Sequence, residues 1–234
     1  ALMSAAVLVI VNSPTSGPRR LRRWLSEAGI EVIEKLGQDG LPETLDGVNG
    51  LVMLGGGFMP DDDSRAPWLA QERELAREAI LRDLPTLGIC LGAQILTHVA
   101  GGKVRAKYGP AERGAVIITA TAEGRHDAVM GSLAKGAPMI ENHQDQMTEL
   151  PPDAVLLATS DAVAHQAFRL GKHVRAVQFH PEASSQDLRA WDETALADQG
   201  LTLTDLITAA DNVNEENTAA AADLVRRFAA EVGV

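Results

Sequence analysis

The chain has 234 residues, a net charge of -11 and a pI near 5.0, with 3% aromatic residues and a single cysteine. Phosphate recognition needs a basic face and base stacking needs aromatics, so this balance excludes a nucleic-acid partner. The length supports one large domain or two small ones, a mean hydropathy of -0.04 with no long apolar run excludes a membrane span, and one thiol excludes an internal disulfide and suits a reducing cytoplasm.

Ala5 to Val11 is apolar but short and lacks a basic segment before it, so it reads as a first buried strand and not as a signal peptide. A helix starts near Pro18, buries Leu21, Trp24, Leu25 and Ala28, and stops with Gly29 as its left-handed C′ residue. Buried strands follow at Ile30 to Ile33, Gly50 to Leu54 and Pro85 to Ile89. A helix from about Pro67 to Asp83 carries the stripe Trp68, Leu75, Ala79 and Ile80. Asp61-Asp62-Asp63 reads as a hydrated loop before that helix, and Lys103, Arg105 and Lys107 as the solvated face of a strand. Ala115 to Thr119, Ala154 to Ser160 and Val163 to Arg169 are short strands, Lys172 to Phe179 is a further one, and Met139-Ile140 a brief apolar one. After Ser184 the pattern turns helical: Gln186 to Leu196, Leu203 to Ala210 and Glu215 to Val232.

This order predicts a single α/β domain over 1–234. Its central sheet is mostly parallel with helices on both faces, and it carries a small mixed or antiparallel extension and a helical segment over about 184–234. Functional groups belong at the carboxyl ends of the strands. Neither a P-loop nor a dinucleotide fingerprint is present.

Gly88-Ile89-Cys90-Leu91-Gly92 stands at the junction of a strand and a helix. A sharp strand-to-helix turn strains its central residue and needs small neighbours, which describes a nucleophile elbow. It projects Cys90 into solvent at a helix N-terminus, where orphan amides favour a thiolate. In Phe179-His180-Pro181-Glu182, proline ends a strand just after His180 and places Glu182 within reach of the imidazole, the arrangement of a general acid-base with its orienting carboxylate. Gly55-Gly56-Gly57 follows a strand, where glycine amides can approach a developing oxyanion.

Gly88 to Gln94 together with Gln178 to Glu182 resembles the signature pair of class I, triad-type glutamine amidotransferases, nearest to stand-alone relatives of the amidotransferase domain of GMP synthetase. The resemblance runs from Val7 to about Glu182 and implies a flavodoxin-like fold. It also implies a Cys90, His180 and Glu182 triad, and an oxyanion hole from the amides of Gly57 and Leu91, with Gly56 the alternative to Gly57. Phe58 stands where the family often has proline. The resemblance further implies that Gln94 and the segment holding Asn142, His143 and Asp145 grip the substrate L-glutamine, with His143 and Asp145 equally readable as loop residues satisfied locally. Glu112 and Gly114 also resemble the family and receive no role.

The implied reaction is attack of Cys90 on the side-chain amide, loss of ammonia and hydrolysis of the γ-glutamyl thioester. No cofactor or metal is called for, since the other five histidines share no ligand spacing. The ammonia acceptor belongs to a separate synthetase or ligase. Two rival readings are a γ-glutamyl hydrolase acting on γ-glutamyl conjugates and a non-catalytic flavodoxin-like regulatory subunit.

Overall fold

Six consecutive apolar residues form β1 (Ala6–Val11), buried at every position, as expected of a strand covered on both faces. The computed structural model describes residues 4–233, so the expected domain limits at 1 and 234 lie outside the described residues. A short α1 (Arg20–Glu27), closed by Gly29 at a φ of 82°, returns the chain to β2 (Glu31–Leu36), parallel to β1. Then come β3 (Gly50–Met53), α2 (Leu69–Arg82), β4 (Thr86–Ile89) and α3 (Leu91–Val99). The second half adds β5 (Lys103–Arg105), β6 (Glu112–Ala120), α4 (Ala122–His126), β7 (Ala137–His143), β8 (Gln146–Glu149), β9 (Val155–Thr159), β10 (Ala167–Leu170) and β11 (Val174–Val177). Three helices follow: α5 (Glu193–Asp198), α6 (Leu203–Asn212) and α7 (Asn214–Val232).

One nine-stranded sheet runs in the order β2-β1-β3-β4-β11-β10-β9-β6-β7. The strands from β2 to β11 are parallel and the remaining four antiparallel. The antiparallel part is therefore not a small appendage but a continuation of the main sheet through β11. Val7, Val9, Val52 and Leu87 pack with Leu21, Leu25 and Phe228 on one face, while Leu8, Ile10, Leu51 and Met53 pack with Leu69, Leu75 and Leu96 on the other. Each such side chain contributes about 1.5–3 kcal/mol by leaving water.

Several elements differ from the sequence expectation. β2 is an edge strand with no buried residue, and its Glu31, Glu34 and Lys35 are the charges that keep an edge from pairing with another chain. In α1 only Leu21 and Leu25 are buried; Ala28 is exposed, and Trp24 is half-covered by the Arg20 guanidinium, 4.8 Å from its ring. The helix expected over Gln186 to Leu196 is a 3-10 segment (Ser185–Ala190) and then α5, because Trp191 is extended and Asp192 starts a new cap on the Ala195 amide. The stretch Val163 to Gln166 is not strand, and β8, unforeseen, pairs with β5 in a separate two-stranded sheet.

A polar knot joins β1 to α2. Asn12 donates to the Leu54 carbonyl (3.0 Å) and to Glu72 (3.1 Å), and accepts from the Trp68 indole (2.8 Å). Burial pushes the fully enclosed Glu72 carboxyl up to about 8. The folded state therefore keeps a proton that the unfolded chain releases near 4.5, so this stability is complete below that value and is lost as pH rises through about 8. Glu72→Gln is expected to flatten the fall in melting temperature between about pH 5 and about pH 8, where the wild type loses at most about 1.4 kcal/mol per unit from this group. Equal slopes in the two proteins overturn this assignment.

Candidate active site

The elbow forms because β4 ends directly under the start of α3. Cys90 adopts φ 54° and ψ -105°, a left-handed state strained for any residue with a Cβ. Its glycine frame is a packing requirement. A Cβ on Gly92 stands 2.2 Å from the Met53 carbonyl oxygen, and one on Gly88 stands 2.7 Å from that of Gly92. The Cys90 amide is fixed by the Val177 carbonyl (2.8 Å). The expectation that Cys90 projects into solvent is corrected: it is 8% exposed, at the floor of a cleft.

His180 is carried past the end of β11 by a bridge to β7, its amide donating to the Ile140 carbonyl (2.8 Å). Its Nδ1 meets Glu182 Oε2 at 2.8 Å, and Nε2 is buried without a partner. Burial lowers the affinity of this ring for a proton, but Glu182 and the neighbouring Cys90 outweigh it and hold the imidazole well above its ordinary pKa. Gly55 packs between the two groups: a Cβ there stands 3.1 Å from His180 Cε1 and 3.6 Å from Cys90 Cβ. Cys90 and the His180-Glu182 pair thus line one cavity.

Gly56 packs against Asn12 and Leu91, whereas Gly57 has open space around its Cα and accepts at its carbonyl from Arg65 (2.6 Å). Leu91 is the first residue of α3, so its amide has no acceptor within the helix. The Gly57 and Leu91 amides thus belong to the two backbone segments that flank Cys90.

Gln94, expected to grip substrate, is 3% exposed and donates its side-chain amide to Gln178 Oε1 (3.2 Å). Gln178 in turn donates to Cys90 Sγ (3.4 Å). Sequence reasoning missed Gln178, which looks like one more residue of an apolar strand end. Its signal in the sequence is its place in the motif Gln178 to Glu182, where it received no role.

His143 lies in the wall of a cavity that contains Cys90, with its ring buried. Its Nε2 meets Glu112 (2.8 Å) and its Nδ1 the Asp145 carbonyl (3.0 Å), so its ring is satisfied locally. Burial and the Glu112 charge raise Glu141 well above the carboxylate range. Burial also pushes Glu112 up, but His143, Glu141 and Ser160 outweigh it and hold Glu112 below that range. Glu112, Glu141 and His143 are a ligand-type cluster among the described residues, in which Glu112 accepts from Ser160 (2.8 Å) and Gln166 (2.7 Å) while neither Glu141 oxygen has a hydrogen-bond partner. Asp145 accepts from the Lys107 amide (2.9 Å), and Asn142 from Arg113 (2.9 Å).

Two cavities reach Cys90. One, of about 350 Å³, is lined by Gln94, Asn142 and Asp145 together with Arg65 and Arg113, charges of both signs that reach the cleft from distant segments. The other, of about 240 Å³, contains His180 and Glu182. The α/β sheet thus brings together, beyond the ends of β4 and β11, a thiol on a strained strand-to-helix turn and a histidine bonded to a carboxylate.

Comparison with known proteins agrees. A sequence-family profile described as glutamine amidotransferase class-I matches residues 10–193, and the chain belongs to that family, whose members are glutamine amidotransferases. It is 33% identical over 177 residues to one subunit of the glutamine-hydrolysing GMP synthase of Thermoplasma volcanium, covering 75% of this chain and 82% of that protein. It is 32% identical over 147 residues to gamma-glutamyl peptidase 3 of Arabidopsis thaliana, covering 62% and 58%. Full-length GMP synthases, such as that of Porphyromonas gingivalis, are matched over 26% of their length. Among solved structures, a glutamine amidotransferase of Thermotoga maritima shares the fold with a TM-score of 0.86 at 22% identity, over 97% of this chain and 99% of that one. No helix among the described residues is long and apolar enough to cross a membrane.

Proposed function

We propose that the chain hydrolyses the side-chain amide of L-glutamine through a Cys90 thioester. The observation that carries this reading is the convergence of the strained Cys90 and the Glu182-bound imidazole on one cleft. The cavity holding Arg65, Arg113, Asp62 and Asp145 presents both signs of charge, which suits the α-amino and α-carboxylate ends of an amino acid. Cys90 Sγ attacks the amide carbon while the Gly57 and Leu91 amides take up the oxyanion. His180 gives a proton to the departing ammonia and then takes one from the water that cleaves the thioester, and Glu182 holds the ring and its charge. Gln178, oriented by Gln94, holds the sulfur from below. The ammonia acceptor sits on a separate synthetase or ligase, a reading supported by the Thermoplasma relative, which is one subunit of a synthase.

A diazo-ketone analogue of glutamine tests the reading. One adduct per chain, mapped to Cys90 by peptide mass and prevented by excess glutamine, is the expected result. Absence of labelling, or labelling that glutamine leaves unchanged, overturns it.

A further inference from the structure

The second cavity is the one that holds His180, and a leaving group must depart toward the acid that protonates it. With the acyl part in the charged cavity, the amine of the substrate points into this one. A void of about 240 Å³ is far larger than ammonia requires, since a molecule of that size takes roughly 30 Å³. Besides the catalytic groups it is lined by Trp191, Asp187, Arg19, Ser13, Ser16 and Ile140. Asp187 is neutralised by Arg19 (3.0 Å) and fixed by the capping bond from the Ser184 amide (2.7 Å), so the space presents an indole, an aliphatic side chain and hydroxyls with no unpaired charge.

Ser13, Ser16, Ile140, Asp187 and Trp191 all lie within the residues that match the family. The segment bearing Asp187 and Trp191 is tied to α6 by Arg189 and Asp211 (3.0 Å) and by Leu188 packing with Ala210, and α6 lies beyond the residues that match the family. A half-open cleft lined in this way has room for part of a substrate.

Building on the thioester reading above, we infer that the site also cleaves γ-glutamyl amides of small alkyl primary amines, with the alkyl tail in the cavity of Trp191 and Ser16. The balance is that of amide hydrolysis. The Cys90 Sγ to acyl carbon bond forms as the carbon to nitrogen bond breaks, the amine leaves with the proton from His180, and water releases glutamate and regenerates the thiol.

The test compares kcat/KM for γ-glutamyl butylamide and for glutamine in the purified chain. The expected ratio is one or more, because each methylene moved from water into an apolar wall favours the transition state severalfold. Ser16→Phe fills the cavity and Trp191→Ala removes its wall, and each is expected to lower that ratio at least about tenfold with an unchanged melting temperature. Cleavage of glutamine with a butylamide rate below about a hundredth of it overturns the inference and leaves the glutaminase reading standing. A high ratio that neither variant changes overturns the assignment of this cavity. Failure on both substrates, with no Cys90 labelling, overturns the two together.

Discussion

Cys90→Ala is expected to reduce glutamine hydrolysis by at least about four orders of magnitude, to the background of the uncatalysed reaction, because no other thiol exists in the chain to form the thioester. The fold is expected to survive. Cys90 belongs to the core cluster, but alanine removes only the sulfur and keeps the same Cβ in the same left-handed state, so the strain is unchanged. Cys90→Gly separates chemistry from strain: equally inactive, it relieves a penalty of order 1 kcal/mol or more and is expected to melt higher than Cys90→Ala by a few degrees. Steady-state assays and thermal melts of the two variants check both halves. Residual turnover above trace in either moves the nucleophile elsewhere, and identical melting temperatures remove the strain.

The elbow was legible because its frame is dictated at short range. Gly88 and Gly92 are needed where Met53 and the next turn of backbone crowd the strand end, and that need appears in the sequence as two glycines flanking a cysteine. His180 was legible as a residue just beyond a strand, although β11 ends at Val177, ahead of Pro181, and it is the bridge to Ile140 that positions His180. The enclosure of Cys90 was not, because its cover comes from Trp191 and Asp187, about a hundred residues away, through a break between a 3-10 segment and α5 that a helical pattern conceals. The roles of Gln94 and Gln178 were hidden too. An amide is read as a substrate contact or as a strand residue until the fold stacks the two beneath the sulfur. Edge and centre strands also separate only in three dimensions, which is why β2 looked buried.

His180→Ala is expected to lower kcat by about two to four orders of magnitude, and Glu182→Gln by less, because the first removes the proton carrier and the second only its orientation and charge. The structure adds a pH signature to that ranking. Glu182 is the largest of the influences that raise His180, so an amide in its place lets the ring lose its proton at lower pH. Alkylation of Cys90 by the glutamine analogue at neutral pH is therefore expected to slow in Glu182→Gln, with the bell-shaped rate profile losing its alkaline side first. A profile unchanged from the wild type ends the assignment of Glu182. Equal and negligible losses from both variants put the base elsewhere, and His143 is then poorly suited to replace it, since Glu112 and the Asp145 carbonyl engage both of its nitrogens and the imidazole is buried.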